Sequence, residues 1–363
     1  MQGVWRWVAG ALALALVVGA AAGSVLAANT GGTGQSTGRS WSWGQFKDVP
    51  ADHWARHDIT VMEIKQVFRG YEDGRFGPKD PVTRMQLVCL ALRVMGLEDD
   101  ALAAGGESAR QTVRQSFGDA ADVPTWPGAQ EALAYAYEQG FLYGLCYQDR
   151  TRFRPDTPAT RLEVVVTLLE AMGLREQAQA MSGAPLNAPD AASVPSWARG
   201  YIALALQMGL LRGDERGYLQ PNASVTREQM AAFLRRADRH VDTEADDNFL
   251  CGVVAEVSTG EHPSVTVLTT VGQLNRYRER ERLREVEGSA SGEQQTAQTQ
   301  TQTEAESKEP VTVVCPVAPD CEVYMDGQKV ALADLVVGAR VEVLLEEDLA
   351  VIIDAWSVSQ EKQ

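Results

Sequence analysis

Thr83-Arg84-Met85-Gln86, Thr160-Arg161-Leu162-Glu163 and Thr226-Arg227-Glu228-Gln229 are one motif written three times. Each copy begins five residues after a proline (Pro78, Pro155, Pro221) and lies downstream of a tryptophan (Trp54, Trp126, Trp197). The three threonines are 77 and 66 residues apart, a recurrence that marks one small unit used three times. Threonine at a helix N-cap, with Gln or Glu three residues on, is a capping box, so each copy predicts a helix start. Apolar stretches follow at Leu87–Val94, Val164–Met172 and Met230–Leu234.

Upstream of each motif the same order of elements returns. A loop reaches the tryptophan through Phe46-Lys47-Asp48-Val49-Pro50, Phe117-Gly118-Asp119 or Ser193-Val194-Pro195. A helix is predicted next. Ala132, Leu133, Ala136 and Tyr137 form its apolar stripe in the second copy, ahead of a terminating Gly140; Ile202, Leu206 and Gly209 repeat this in the third. Then comes a glycine loop, opening at Gly70, Gly144 and Gly213, which lie 16, 18 and 16 residues after their tryptophans. Phe76, Phe153 and Leu219 in these loops are candidates to plug a core. The expected fold is mainly α: three helix–loop–helix modules at 46–98, 116–174 and 188–238. A unit of that size is marginal alone, so a shared core about a pseudo-threefold axis is expected.

The flanking segments differ in composition. Residues 1–28 read as a secretory signal peptide: Arg6, an uncharged run through Ala11–Ala22, then the small-residue site Ser24-Val25-Leu26-Ala27. An uncleaved membrane anchor is the alternative, since Trp7 to Ala28 carries no charge; with cleavage no other span is expected. Residues 29–45, rich in Gly, Ser and Thr, read as a linker, and 239–248 as an acidic one. Period-two runs such as Val253–Val257, Ser264–Val267, Val311–Val314, Val341–Val343 and Val351–Ile353 predict about six short strands over 249–358, a small β-barrel or sandwich. Asp326-Gly327 predicts a hairpin turn there. The segment 276–310, charged and then low in complexity, reads as an insertion.

Thirty-three basic against 49 acidic residues give a formal net charge of −16. Such a chain will not hold nucleic acid or anionic polymers by bulk electrostatics, so an anionic ligand must be captured by a few placed arginines. Of five cysteines, Cys315 and Cys321 are the candidate disulfide. His53 and His57 lack a third ligand, so no metal is expected. No nucleophile elbow, phosphate loop or metalloprotease motif is present, and neither a catalytic residue nor a cofactor is expected.

Arg84, Arg161 and Arg227 stand at the first helical position, where the helix dipole disfavours a cation by about 0.3–1 kcal/mol. Two readings stay open: capture of an anionic ligand through the guanidinium fork, or an internal salt bridge, for example from Arg84 to Asp48 or Asp80. The tryptophans are likewise either core or a stacking platform for a sugar ring.

These residues resemble the S-layer homology family. In the first copy the likeness rests on Phe46-Lys47-Asp48-Val49, His53-Trp54-Ala55, Gly70-Tyr71, Asp73-Gly74, Phe76, Pro78 and Thr83-Arg84; in the third it rests on Trp197-Ala198, Gly213, Pro221 and Thr226-Arg227-Glu228; the second copy is looser. The resemblance implies a secreted protein held non-covalently at the bacterial cell wall by secondary polysaccharide, often bearing pyruvate ketals. It implies glycan grooves built from Arg84, Arg161 and Arg227 with Trp54, Trp126 and Trp197 and with Gly70, Gly144 and Gly213. Other surface-layer proteins are a further implied partner. The family's usual glutamate in the fourth motif position is Gln86 and Gln229 here, and the second loop is longer, carrying Leu145, Cys146 and Arg150; fewer than three working grooves would be consistent with that. A lattice subunit of a surface layer, or a wall-associated enzyme, are the alternative functions.

Overall fold

The computed structural model describes residues 46–147, 149–241, 249–270, 273–274, 310–346 and 348–357. The signal-peptide reading of 1–28, the linker at 29–45, nearly all of the insertion at 276–310 and most of the acidic linker at 239–248 lie outside the described residues. The chain divides into two compact units, with the boundary between Asn248 and Phe249.

The first unit is helical. Each sequence copy supplies a tryptophan helix and a motif helix: α1 (Arg56–Ile64) and α2 (Arg84–Val94), α5 (Ala129–Glu138) and α6 (Arg161–Ala171), α8 (Arg199–Gln207) and α9 (Arg227–Asp238). Three further short helices, α3 (Glu98–Ala103), α4 (Glu107–Ser116) and α7 (Arg175–Ala180), fill the stretches between copies. They escape a periodicity reading because they bury so little: α4 hides Ala109 and Val113, a single i,i+4 pair, and α3 and α7 one alanine each.

The motif helices of the first two copies start on a closed capping box; in the third, Gln229 Oε1 accepts from Thr226 N at 3.2 Å, but Thr226 Oγ1 has no partner among the described residues. In the first, Thr83 N donates to Gln86 Oε1 at 3.0 Å and Gln86 N to Thr83 Oγ1 at 3.3 Å. The next two orphan amides of each helix are satisfied by another copy. Arg84 N and Met85 N donate to Thr157 O and Pro155 O; Arg161 N and Leu162 N donate to Ala223 O and Pro221 O; Arg227 N and Glu228 N donate to Asp80 O and Pro78 O, all at 2.9–3.1 Å. Isolated bridges accompany them, Thr83 with Pro158, Thr160 with Ser224 and Pro81 with Thr226. The first copy thus clasps the second, the second the third, and the third the first. Packing follows the same order, α5 against α2, α8 against α6 and α1 against α9. The loop plugs Phe76, Phe153 and Leu219 are buried.

The second unit is a β-barrel. β1 (Leu250–Ser258), β2 (Ser264–Thr270), β3 (Pro310–Met325), β5 (Arg340–Glu346) and β6 (Leu349–Trp356) join in the order β2-β1-β5-β6-β3, and β2 pairs with β3 to close it. Every pairing is antiparallel except β3 with β6. That is the strand order of Greek-key barrels of the OB type. The two-residue strand β4 (Gln328–Lys329) makes a hairpin with β3. Asp326 and Gly327 turn it, with φ of 54° and 79°, as an Asp-Gly turn requires. Val254, Val265, Val267, Cys315, Val341, Val343 and Ile353 fill the interior.

The disulfide expected between Cys315 and Cys321 is not formed; both are free. They lie on the single strand β3, whose register against β6 shifts between Val317 and Glu322. Among the described residues no helix is long and apolar enough to cross a membrane.

Candidate functional site

The site is built where one copy's motif helix meets the next copy's loop. Each loop is first fixed by an aspartate of its own copy. Asp48 accepts from Phe76 N and Gly77 N, both at 2.8 Å. Asp119 accepts from Phe153 N and Arg154 N at 3.0 and 2.7 Å. Asp190 accepts from Leu219 N and Gln220 N at 2.9 and 2.7 Å. Burial alone would raise the Asp48 carboxyl; the two loop amides outweigh it and hold the pKa below the ordinary value. These aspartates were not recognised as a set in the sequence. The signal was there, an acid 28, 34 and 29 residues ahead of the plug it serves, but the third lies outside the Phe-x-Asp context that carries the first two.

With both loop amides held, the plug's carbonyl is turned outward, and the motif arginine takes it. Arg84 Nη1 donates to Phe153 O at 3.1 Å, Arg161 Nε to Leu219 O at 2.8 Å and Arg227 Nε to Phe76 O at 2.7 Å. Arg161 Nη2 also reaches Arg212 O at 2.9 Å, and Arg227 Nη2 reaches Arg69 O at 2.8 Å. The arginines therefore bind across copies, and each lies at the junction of two.

The junctions differ in how the charge is balanced. Arg84 is ion-paired with Glu163 of the second copy, and not with Asp48 or Asp80, the acids suggested by proximity in sequence. Arg227 is 4% exposed. Its guanidinium lies 4.3, 4.6 and 4.7 Å from the ring centroids of Phe68, Tyr71 and Phe76, close enough for cation–π attraction. Beside it Glu228 meets Lys79 Nζ at 2.6 Å and His53 Nε2 at 3.1 Å. Arg161 is half-buried, with one ring, Phe233, at 5.5 Å. Neither Arg161 nor Arg227 forms a salt bridge among the described residues, and burial pulls the pKa of both down.

The tryptophans diverge as well. Trp54 and Trp126 are 57% and 44% exposed. Trp126 borders a pocket of about 110 Å³ with Cys89, Leu102 and the Arg93–Glu98 ion pair. Trp197 is half-buried, because Tyr147 of the long second loop lies flat against it at 4.2 Å. No hydrogen bond or ring contact joins any of the three indoles to a motif arginine among the described residues. Gly70 and Gly144 are points of close approach: a Cβ on Gly70 would fall 2.2 Å from Phe46, and one on Gly144 2.8 Å from Val166. Gly213 packs against Gly217 within its own loop.

A family model for the S-layer homology domain matches residues 45–88 and 189–231. The chain carries S-layer homology domains. The two matches take in the loops opening at Gly70 and Gly213, the motifs of Arg84 and Arg227, and the indoles Trp54 and Trp197. Between them lies the middle copy, which makes the same junctions through Arg161. Similar curated proteins include an amylopullulanase of Thermoanaerobacterium thermosulfurigenes, 24% identical over 52% of this chain and 9% of that protein. A surface-layer 125 kDa protein of Lysinibacillus sphaericus is 26% identical over 52% of this chain and 14% of its own length, and an S-layer protein of Bacillus anthracis is 23% identical over 55% and 22%. The chain thus spans less than a quarter of each of these relatives.

Proposed function

We propose that this is a protein of the bacterial cell surface whose helical unit attaches it non-covalently to an acidic secondary polysaccharide of the wall. In this reading the middle copy is a third, divergent S-layer homology module, and the three clasped junctions form a pseudo-threefold ring over modules 46–98, 116–174 and 188–238. The glycan's acid, a pyruvate ketal carboxylate, meets a motif arginine that lacks a carboxylate partner, while exposed indoles such as Trp54 and Trp126 offer sugar-stacking faces. The glycines Gly70, Gly144 and Gly213 keep the loops low beside them.

The observation that carries this is the uncompensated guanidinium. Arg161, half-buried, is held on the carbonyls of Leu219 and Arg212 without a salt bridge among the described residues, in a chain whose net charge is −16. Desolvated positive charge without a counter-charge is costly, and an anion offsets it. The relatives support attachment rather than a shared chemistry: part of this chain is similar both to proteins named for a surface layer and to one named an amylopullulanase. No catalytic role is assigned to it.

The test is co-sedimentation of the full chain with wall sacculi. The protein should pellet with intact sacculi and stay in solution with sacculi stripped of polysaccharide by acid. Equal retention by both would rule out the polysaccharide.

A further inference from the structure

The three junctions are equivalent in backbone and unequal in charge, and one side-chain atom accounts for much of the difference. Glu163 has two carboxylate oxygens. Oε2 accepts from Thr160 N at 2.8 Å and completes the capping box, which leaves Oε1 for Arg84 of the preceding copy. Gln86 and Gln229 occupy the same position and also accept from their N-cap amides, at 3.0 and 3.2 Å. Each has only one amide oxygen, and the cap uses it. The remaining NH2 is a donor and cannot neutralise a guanidinium. By the matching backbone bonds, Gln229 is the counterpart of Glu163 at Arg161, and Gln86 at Arg227.

Arg227 has a substitute in its three flanking rings and is closed off from solvent. Arg161 has a single ring, Phe233 at 5.5 Å, and is only half-buried. It is joined by further cations. Arg236 is half-buried on α9, 6.0 Å from the same Phe233 ring that Arg161 faces, and its Nη1 donates to Leu210 O at 3.5 Å. Burial, and the charges of Arg212, Arg161 and Arg239, push Arg236 down to about 10, still protonated at neutral pH. Arg212 is exposed. The nearby acids offset this only in part: Asp214 and Asp190 act on Arg161 without forming a salt bridge among the described residues. Asp190 spends both oxygens on Leu219 and Gln220, and Asp214 accepts from Arg216 and Tyr218. Asp58 acts on Arg236 without forming a salt bridge among the described residues, and it stands four residues after the exposed Trp54.

We infer that the junction of the second and third copies, with Arg161 at its centre and Arg236 and Arg212 beside it, is the principal site for the acidic group of the wall glycan. The junction of the first and second copies is held shut by Arg84 and Glu163. This rests on the proposed function and adds to it which junction works and two arginines that the motif does not contain. A ligand with more than one negative charge per repeat would engage the cluster best.

The test is titration calorimetry of the full chain with a hexosamine bearing a 1-carboxyethylidene ketal. Gln229→Glu recreates the Glu163 arrangement opposite Arg161. It should keep the bond from Thr226 N, melt no lower than the parent and weaken binding about tenfold or more, the scale of losing one charged contact. Arg236→Gln should weaken it similarly. Gln86→Glu, at the junction of the third and first copies, should leave the affinity within about twofold. Parent-like binding by both Gln229→Glu and Arg236→Gln, or loss confined to Gln86→Glu, would overturn the assignment. A chain that pellets with intact sacculi but does not bind the ketal sugar would sink this inference alone. A chain that fails to pellet would sink the attachment reading with it.

Discussion

Tyr147 lies flat on Trp197, ring centroids 4.2 Å apart and planes inclined by 22°. Tyr143 meets the same indole edge-on at 5.5 Å. The tyrosines come from the second copy's loop and the indole from the third copy, so this stack covers a face that is open at Trp54. Tyr147→Ala should uncover it. Collisional quenching of tryptophan fluorescence should rise relative to the parent chain, at a stability loss of about 0.5–1.5 kcal/mol for the aromatic pair beyond its area. Unchanged quenching would mean the indole is shielded by something else.

Asp48 supplies an acid-sensitive link. Its folded pKa is lowered by the amides of Phe76 and Gly77 against the opposing effect of burial. The stabilisation is therefore fully present above the ordinary aspartate value and is lost as pH falls through the lowered one. Asp48→Asn should be less stable than the parent at pH 6, and the gap should narrow on acidification below about pH 4. Urea midpoints at a series of pH values measure this; a gap that stays constant down to pH 2.5 would contradict it.

Gly70→Ala introduces a methyl 2.2 Å from a Phe46 ring carbon and 2.9 Å from Arg75 O. The ring can swing aside, but the carbonyl is part of the loop, where it accepts from Tyr71 N at 2.7 Å. The variant should lose about 1–3 kcal/mol, the usual cost of overpacking. Gly183→Ala meets nothing within 4 Å and should stay within about 0.5 kcal/mol of the parent. Chemical denaturation of the pair separates close approach from a general effect of glycine replacement.

Burial pushes the thiols of Cys89, Cys315 and Cys321 up to about 12 and that of Cys146 to about 11. A protonated thiol is a poor nucleophile. Alkylation of the native chain at pH 8 should therefore be slow at all four, and thiol titration after unfolding without reductant should recover all five cysteines.

Much of the local structure was legible because local chemistry decides it. Thr83, Thr160 and Thr226 announce their helices through a three-residue spacing, and Asp326-Gly327 announces its turn through two left-handed residues. What spacing cannot convey is which copy a side chain reaches. Proximity in sequence offers Arg84 its own copy's acids, Asp48 or Asp80, as one of two open readings, yet its partner is Glu163, 79 residues away. Asp190 does not stand out in the sequence because its role is set by the loop it holds and not by its neighbours in sequence. Cys315 and Cys321 look close in sequence, yet both are free on β3.

The clasp from Arg227 N and Glu228 N back to Asp80 O and Pro78 O means the copies are not interchangeable beads. Deleting one leaves two raw faces, a motif helix with bare amides and a loop with bare carbonyls, that fit each other's counterparts on a second molecule. Shortened versions of this chain should therefore tend to exchange parts and pair up, so trimming would change the number of molecules in the particle before it changed the strength of its grip.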